Sequence, residues 1–305
     1  MKSVLVVGSA NMDMVVRVDK YPLPGETVFG NQFGMYPGGK GANQAVACAK
    51  LGAKTVFVGK MGNDIFHERL VQNMKTNGVN VKDILIDLEA PTGVALIYVD
   101  STGQNEIVVV SGSNMSITPD DVKGKKSLFS RASVVLTQLE IPVETVSAVA
   151  ELTKQNGAVL ILNPAPACKI PEDILNKVDY LTPNETELSL LSGHDVENRE
   201  SIITASHTLL NKGVKNVIVT QGSKGALHVS KGEWREFPAM AVTTVDTTAA
   251  GDAFNGAFAY GLASGNSIPD AIIFANRVAA FSVTRHGAQT SMPTLHDINE
   301  NKYNK

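Results

Sequence analysis

The chain is predicted to fold as an α/β protein over residues 1–305: a doubly wound, mostly parallel sheet flanked by helices, with a small antiparallel β lid. Three observations predict it. Short β-branched runs at residues 4–7, 55–58, 134–136, 159–162, 180–181 and 217–220 alternate with segments of helical period. Several of these runs are apolar throughout, as a strand covered on both faces must be. Two other stretches, 14–34 and 92–111, lack a helical period and read as antiparallel strands, so one lid sheet built from both excursions is the economical arrangement.

Composition bounds the function. With 305 residues and 43% hydrophobic content the chain can bury one large core. A net charge of −3, with acids and bases interspersed, offers no basic run to track a phosphodiester backbone, so nucleic acid is not an expected partner. No apolar stretch approaches the roughly 20 residues that span a bilayer, and the chain opens directly into a strand-like run, so a cytoplasmic protein with no membrane partner is expected. Cys48 and Cys168, the only cysteines, stand in contexts that read as a helix face and a loop, so neither a disulfide scaffold nor a zinc site is suggested. The polar tail at 299–305 is expected to fray.

In chain order, the first strand runs into Gly8-Ser9-Ala10-Asn11 and not into Gly-x-Gly-x-x-Gly, which argues against a dehydrogenase. After the first excursion, Gly38-Gly39-Lys40-Gly41-Ala42-Asn43-Gln44-Ala45 opens a helix. Consecutive glycines let the backbone approach a ligand, and Lys40 and Asn43 carry donors suited to hydroxyl groups. The spacing is not that of a P-loop, and a glycine-rich helix cap is the alternative. The second excursion is a hairpin turning at Asp100-Ser101-Thr102-Gly103.

Beyond the strand at 180–181, the segment Thr182-Pro183-Asn184-Glu185-Thr186-Glu187-Leu188 places Asn184 and Glu187 on one helical face. Oxygen ligands so placed suit Mg²⁺ and its waters; an ordinary capping box fits the same residues. The strand at 217–220 ends in Gln221-Gly222-Ser223-Lys224-Gly225, either a nucleotide position at the carboxyl edge of an open sheet or a plain turn. The most informative segment is Val245-Asp246-Thr247-Thr248-Ala249-Ala250-Gly251-Asp252, followed by helical sequence. A turn of small residues opening a helix leaves unpaired N–H groups that bind phosphate oxygens. Asp252 in the first helical turn can take a proton from a hydroxyl nucleophile beside them. The alternative makes Asp246 and Asp252 capping residues.

Together these segments resemble the ribokinase family of carbohydrate kinases, also called the phosphofructokinase B family. The resemblance runs from Gly8-Ser9-Ala10-Asn11-Met12-Asp13 to Gly287-Ala288-Gln289-Thr290-Ser291. The glycine-rich segment at 38–43 looks like the family's first signature. Residues 246–252 match its second, Asp-Thr-x-Ala-Ala-Gly-Asp, without departure.

The resemblance implies an ATP-dependent kinase that phosphorylates O5 of D-ribose. It implies that Asn11, Asp13, Gly39, Lys40, Asn43 and Glu140 bind the sugar hydroxyls, that Asp252 is the base, and that Ala249, Ala250 and Gly251 form an anion hole. Asn184 and Glu187 would organise Mg²⁺ and the phosphates, Glu187 through water. Thr220, Gln221, Gly222, Ser223, Lys224, Gly225 and Asn276 would line the nucleotide site. Asp246, Thr248, Ser282, Arg285, Gly287 and Ser291 match a loop pair that binds an activating monovalent cation, K⁺, several through backbone carbonyls. A homodimer through the lid sheet is also implied. The rivals are a kinase for another sugar or a nucleoside and, outside the class, a nucleotide-binding regulator without catalysis.

Overall fold

The computed structural model describes residues 3–300, so most of the polar tail expected to fray lies outside the described residues. The elements run β1 (Ser3–Val7), β2 (Asn11–Val18), β3 (Gly30–Gly38), α1 (Lys40–Lys50), β4 (Lys54–Val58), β5 (Lys60–Gly62), α2 (Ile65–Thr76), β6 (Leu85–Asp87), β7 (Gly93–Val99) and β8 (Asn105–Val110). There follow α3 (Pro119–Lys123), α4 (Lys126–Phe129), β9 (Ala132–Thr137), α5 (Val143–Gln155), β10 (Val159–Leu162), α6 (Glu172–Leu175), β11 (Tyr180–Leu181), α7 (Glu185–Ser192), α8 (Arg199–Asn211) and β12 (Asn216–Thr220). The chain closes with β13 (Ala226–Ser230), β14 (Glu233–Phe237), α9 (Ala250–Ala263), α10 (Ile268–Ser282) and α11 (Leu295–Asn299).

The main sheet has the order β14-β13-β12-β11-β10-β9-β1-β4, parallel from β12 to β4. All six runs expected as buried strands lie in that parallel part. Their continuous apolar character has a direct cause. Val4 and Val6 pack into one core and Leu5 and Val7 into another on the opposite face, and Val135 is divided in the same way from Val134 and Leu136. The hairpin β13–β14 extends the sheet antiparallel, a piece absent from the expectation. Its outer strand carries Glu233, Arg235 and Glu236 on an exposed edge, the usual protection against edge-to-edge pairing.

The excursions expected at 14–34 and 92–111 pair into one four-stranded sheet, β3-β2-β7-β8, whose strands reach back to Asn11 and on to Gly38. Each excursion is an antiparallel pair, and the seam between them, β2 against β7, is parallel. The hairpin turn at 100–103 is held by Asp100, whose Oδ1 accepts from the amides of Thr102 and Gln104. In register, Asn11 sits between Gly38 and Gly93, so the root of this sheet meets the glycine-rich start of α1. Among the described residues no helix is long and apolar enough to cross a membrane.

Candidate active site

A cavity of about 430 Å³ opens where the carboxyl ends of the parallel strands, the second sheet and the N-termini of α1 and α9 converge. That is the crevice in which open α/β sheets hold ligands. Its walls are of two kinds. Asn11, Asp13, Lys40, Asn43, Glu140 and Asp252 present polar groups, while Ala95, Ile97, Ile107 and Val109 of the second sheet form an apolar face.

Backbone proximity explains the glycines. Gly39 caps α1 at φ 86°, and a Cβ there would lie 2.7 Å from Ala10 Cα and from Asn11 N. A Cβ on Gly41 would fall 2.6 Å from Ser9 N. Only glycine lets α1 start against the β1–β2 turn, so Asn11 and Lys40 are brought together by backbone contact. Glu140, just beyond β9, joins the same knot: its Oε2 accepts from Ser9 Oγ and, at 3.0 Å, from the Lys40 amide.

Helix α9 opens the other wall. Its cap, Ala249, has a left-handed φ of 58° and makes no side-chain cap bond. Such a conformation costs a non-glycine residue about 1–2 kcal/mol, and it turns the opening amides of α9 outward. Ala250 N donates to Thr247 O and Ala253 N to Ala249 O, leaving the amides of Gly251 and Asp252 without a carbonyl partner among the described residues. Gly251 differs from the glycines of α1, because a Cβ there would meet nothing within 4 Å. Its smallness is not needed by the protein's own packing, and the space beside it opens into the cavity.

Asp252 is buried and both its oxygens are held: Asn43 Nδ2 donates to Oδ2 and Gln44 Nε2 to Oδ1, each at 2.9 Å. Close helix crossing makes this possible. Gly256, one turn on from Asp252, sits so near α1 that a Cβ would be 2.8 Å from Gln44 O. Burial pushes the Asp252 carboxyl above the usual carboxylate range, opposed by the Lys40 charge and by the two amides. Burial also pushes Asp13 up, to about 7, with Glu140 and Asp252 adding repulsion. For Lys40, burial acts downward, but the carboxylates of Asp252, Glu140 and Glu187 outweigh it and hold the ammonium above its ordinary value.

The cavity brings together Asn11, Asp13, Gly39, Lys40, Asn43, Glu140, Asn184, Glu187, Thr220, Thr248, Ala249, Ala250, Gly251 and Asp252. Asn184 and Glu187 also form the capping box of α7, Glu187 Oε2 accepting from Asn184 N at 2.9 Å and Asn184 Oδ1 from Glu187 N at 2.8 Å. The capping-box reading is thus present in the structure, and among the described residues the other Glu187 oxygen has no hydrogen-bond partner while the residue lines the cavity.

Other residues lie apart from it. Gln221 and Lys224 line a neighbouring hollow with Glu185, Arg199 and Glu236. Gly222, Ser223 and Gly225 belong to the tight turn beside it, and Asn276 is buried with its Nδ2 donating to Phe237 O at 2.8 Å. Asp246 ties two loops, Oδ1 accepting from Thr248 N and Oδ2 from Gly287 N, both at 2.9 Å. The Val245 and Asp246 amides donate to Val283 O across the same gap. Ser282 and Ser291 are buried beside these loops and donate their hydroxyls to Ala279 O and Ala288 O. The Arg285 side chain pairs with Asp297 at 3.5 Å and lies over the Phe281 ring, so only its backbone is available to an ion between the loops.

Sequence reading missed the amide shell around Asp252, made by Gln44, Gln138, Asn163 and Gln289, and it missed Asn114, which donates to Asn11 Oδ1 at 2.7 Å. The one available signal was a polar residue inside an otherwise buried segment, as with Gln44 in α1.

Residues 1–295 match the family model described as pfkB family carbohydrate kinase. The chain is 40% identical over 300 residues to the ribokinase of Bacillus subtilis (strain 168), covering 98% of this chain and 99% of that one. It is 37% identical over 298 residues to a deoxyribokinase of Salmonella typhi, covering 97% of each. A bifunctional ribokinase/ribose-5-phosphate isomerase A of Fructilactobacillus sanfranciscensis is 40% identical over 311 residues; that match takes in all of this chain but 58% of the longer protein. The solved structure of Arabidopsis thaliana ribokinase complexed with ribose and ATP aligns with a TM-score of 0.93 at 36% identity, covering 98% of both chains.

Proposed function

The chain belongs to the pfkB family of carbohydrate kinases, and from that premise we propose that this ATP-dependent kinase transfers the γ-phosphate of ATP to O5 of D-ribose. The observation that carries the reading is Asp252, a buried carboxylate held at both oxygens and set beside the free amides and unfilled space at Gly251.

In this reading the sugar lies among Asn11, Asp13, Gly39, Lys40, Asn43 and Glu140, with one face against the apolar wall of the second sheet, which acts as the lid. Asp252 takes the O5 proton as O5 bonds to the γ-phosphorus. The bond from that phosphorus to the bridging oxygen breaks, and its electron pair leaves on ADP. Of the expected anion hole, Ala249 and Ala250 shape the turn, the Ala250 amide being spent on Thr247 O, and the amides of Gly251 and Asp252 meet the charge that develops on the phosphoryl oxygens. When bound, Mg²⁺ supplies charge neutralisation on the phosphates. Asn184 and the free oxygen of Glu187 fit holding it through water, since Mg²⁺ needs few protein carboxylates. Thr220 to Gly225 and Asn276 belong to the nucleotide side, Asn276 by bracing the end of β14. The loops joined by Asp246, with Thr248, Ser282, Gly287, Ser291 and the Arg285 backbone, fit a large monovalent cation such as K⁺.

A homodimer through the second sheet accounts for its surface: Val108 and Val110, which alternate with the cavity-lining Ile107 and Val109, are 55% and 50% exposed on an edge strand, and Phe33 is 60% exposed. An apolar edge of this kind calls for a covering partner. One buried and one exposed free cysteine fit a reducing, cytoplasmic compartment.

The test is kcat/KM for D-ribose against 2-deoxyribose. A buried polar group left unmatched costs about 1–3 kcal/mol, or roughly 5- to 150-fold, so ribose should win by that factor. Equal values, or a preference for 2-deoxyribose or a nucleoside, would overturn the substrate assignment while leaving the kinase class in place.

A further inference from the structure

We propose that Gln289 is a positioning residue for Asp252, acting through Asn43 along a directional row of amides; this rests on Asp252 being the base. The row is explicit. Asn73 Nδ2 donates to Gln289 Oε1 at 2.5 Å, Gln289 Nε2 to Asn43 Oδ1 at 3.0 Å, and Asn43 Nδ2 to Asp252 Oδ2 at 2.9 Å. On the other oxygen, Gln138 Nε2 donates to Gln44 Oε1, and Gln44 Nε2 to Asp252 Oδ1.

Charge sets the direction. An ionised carboxylate only accepts, whereas a side-chain amide can present either its oxygen or its nitrogen. Turned over, Asn43 would aim an oxygen at the carboxylate. The Gln289 donor holds the Asn43 oxygen away from Asp252, and the Asn73 donor holds Gln289 in the same sense. Gln289 and Asn43 are buried, so no water offers a ready substitute. The row therefore stabilises the ionised base against burial and fixes where its second lone pair points.

The arrangement has a further consequence. Gln289 lies in the loop that Asp246 joins to the start of α9, so one short segment touches both the amide row and the loops flanking the free amides. Its backbone is anchored independently: Lys50 Nζ donates to Gln289 O at 3.1 Å and to Met292 O at 2.7 Å. A change confined to the Gln289 side chain thus leaves that tether in place.

The test uses neutral variants of the full-length enzyme, so that no new charge reaches Asp252. The charged groups already facing it are Lys40 on α1, Glu140 beyond β9, Asp13 on β2 and Glu187 on α7. Gln289→Met keeps the volume and removes both amide ends. Losing one neutral hydrogen bond corresponds to about a 3- to 10-fold fall in kcat at neutral pH. The ribose KM should stay within about twofold, and the acidic limb of the kcat profile should move up by about half to one pH unit. Asn73→Ala should move the limb in the same direction by less, and it carries the test if Gln289→Met does not fold. In an Asp252→Asn background, Gln289→Met should cost nothing more. An unmoved acidic limb in both single variants overturns the proposal. So does a full additive loss in the Asp252→Asn background, which would place the effect at the free amides. If Asp252→Asn itself turns over at near wild-type rate, the base reading fails, a result separate from either.

Discussion

Gly256→Ala tests whether catalysis depends on how closely α1 crosses α9. The added Cβ would sit 2.5 Å from Ala47 Cβ, 2.8 Å from Gln44 O and 3.2 Å from Cys48 N. Carbon atoms pack at about 3.5–4.0 Å, so the helices must separate by about 1 Å or more, and two of the three obstacles are backbone atoms that cannot swing aside. Alanine gains about 1 kcal/mol over glycine in a helix, while overpacking a tight core costs about 1–3 kcal/mol. The net is a loss of about 0–2 kcal/mol, a small fall in melting temperature. Function should suffer more. The Asn43 and Gln44 bonds to Asp252 are 2.9 Å long, and about 1 Å of separation carries both beyond hydrogen-bonding range. Bonds to a charged group are worth about 1.5–3 kcal/mol, so kcat should fall about 10- to 100-fold or somewhat more. Thermal unfolding and saturating initial rates measured on the same preparation separate the two effects. A variant that is more stable than wild type with unchanged kcat would refute the reasoning, since the close crossing would then have no bearing on Asp252.

Asp252→Asn should lower kcat by about 10²–10⁴-fold, the usual contribution of a positioned base, while ADP affinity measured by calorimetry stays near wild type. The Asp13 carboxyl is pushed up to about 7 by burial and by neighbouring carboxylates. Sugar hydroxyls donate to its ionised form, so ribose affinity should rise as pH rises from about 6 to 8, with fractional proton release on binding near pH 7. Calorimetry in buffers of different ionisation enthalpy checks this, and Asp13→Asn should abolish the dependence. Replacing KCl by NaCl at fixed Mg²⁺ and ATP should slow the wild type, and Asp246→Ala should remove the difference because it unties the loops that Asp246 joins; equal wild-type rates in the two salts would exclude the cation site.

What the sequence determined by itself is local. A run such as Val4-Leu5-Val6-Val7 is apolar at every position because both its faces are covered, and that can be read without coordinates. The turn from Ala249 to Asp252 is legible for a similar reason: a stretch of small residues, an acid and the start of a helix are contiguous in the chain. Tertiary structure decided whatever needed two distant segments at once. The parallel seam of β2 and β7 joins residues 11–17 to residues 93–99, and no periodicity within either strand specifies its partner. The segment of Asn184 and Glu187 could be read as a cap or as part of a site, and only the placement of α7 brings the capped residues to the cavity wall. The amide row on Asp252 is the clearest case, since Asn43, Asn73 and Gln289 are brought into line by helix crossings and a loop tether. Each is an ordinary polar residue in its own neighbourhood. An amide becomes part of a site only when burial removes water and leaves one neighbour to bond, and burial is a property of the folded whole.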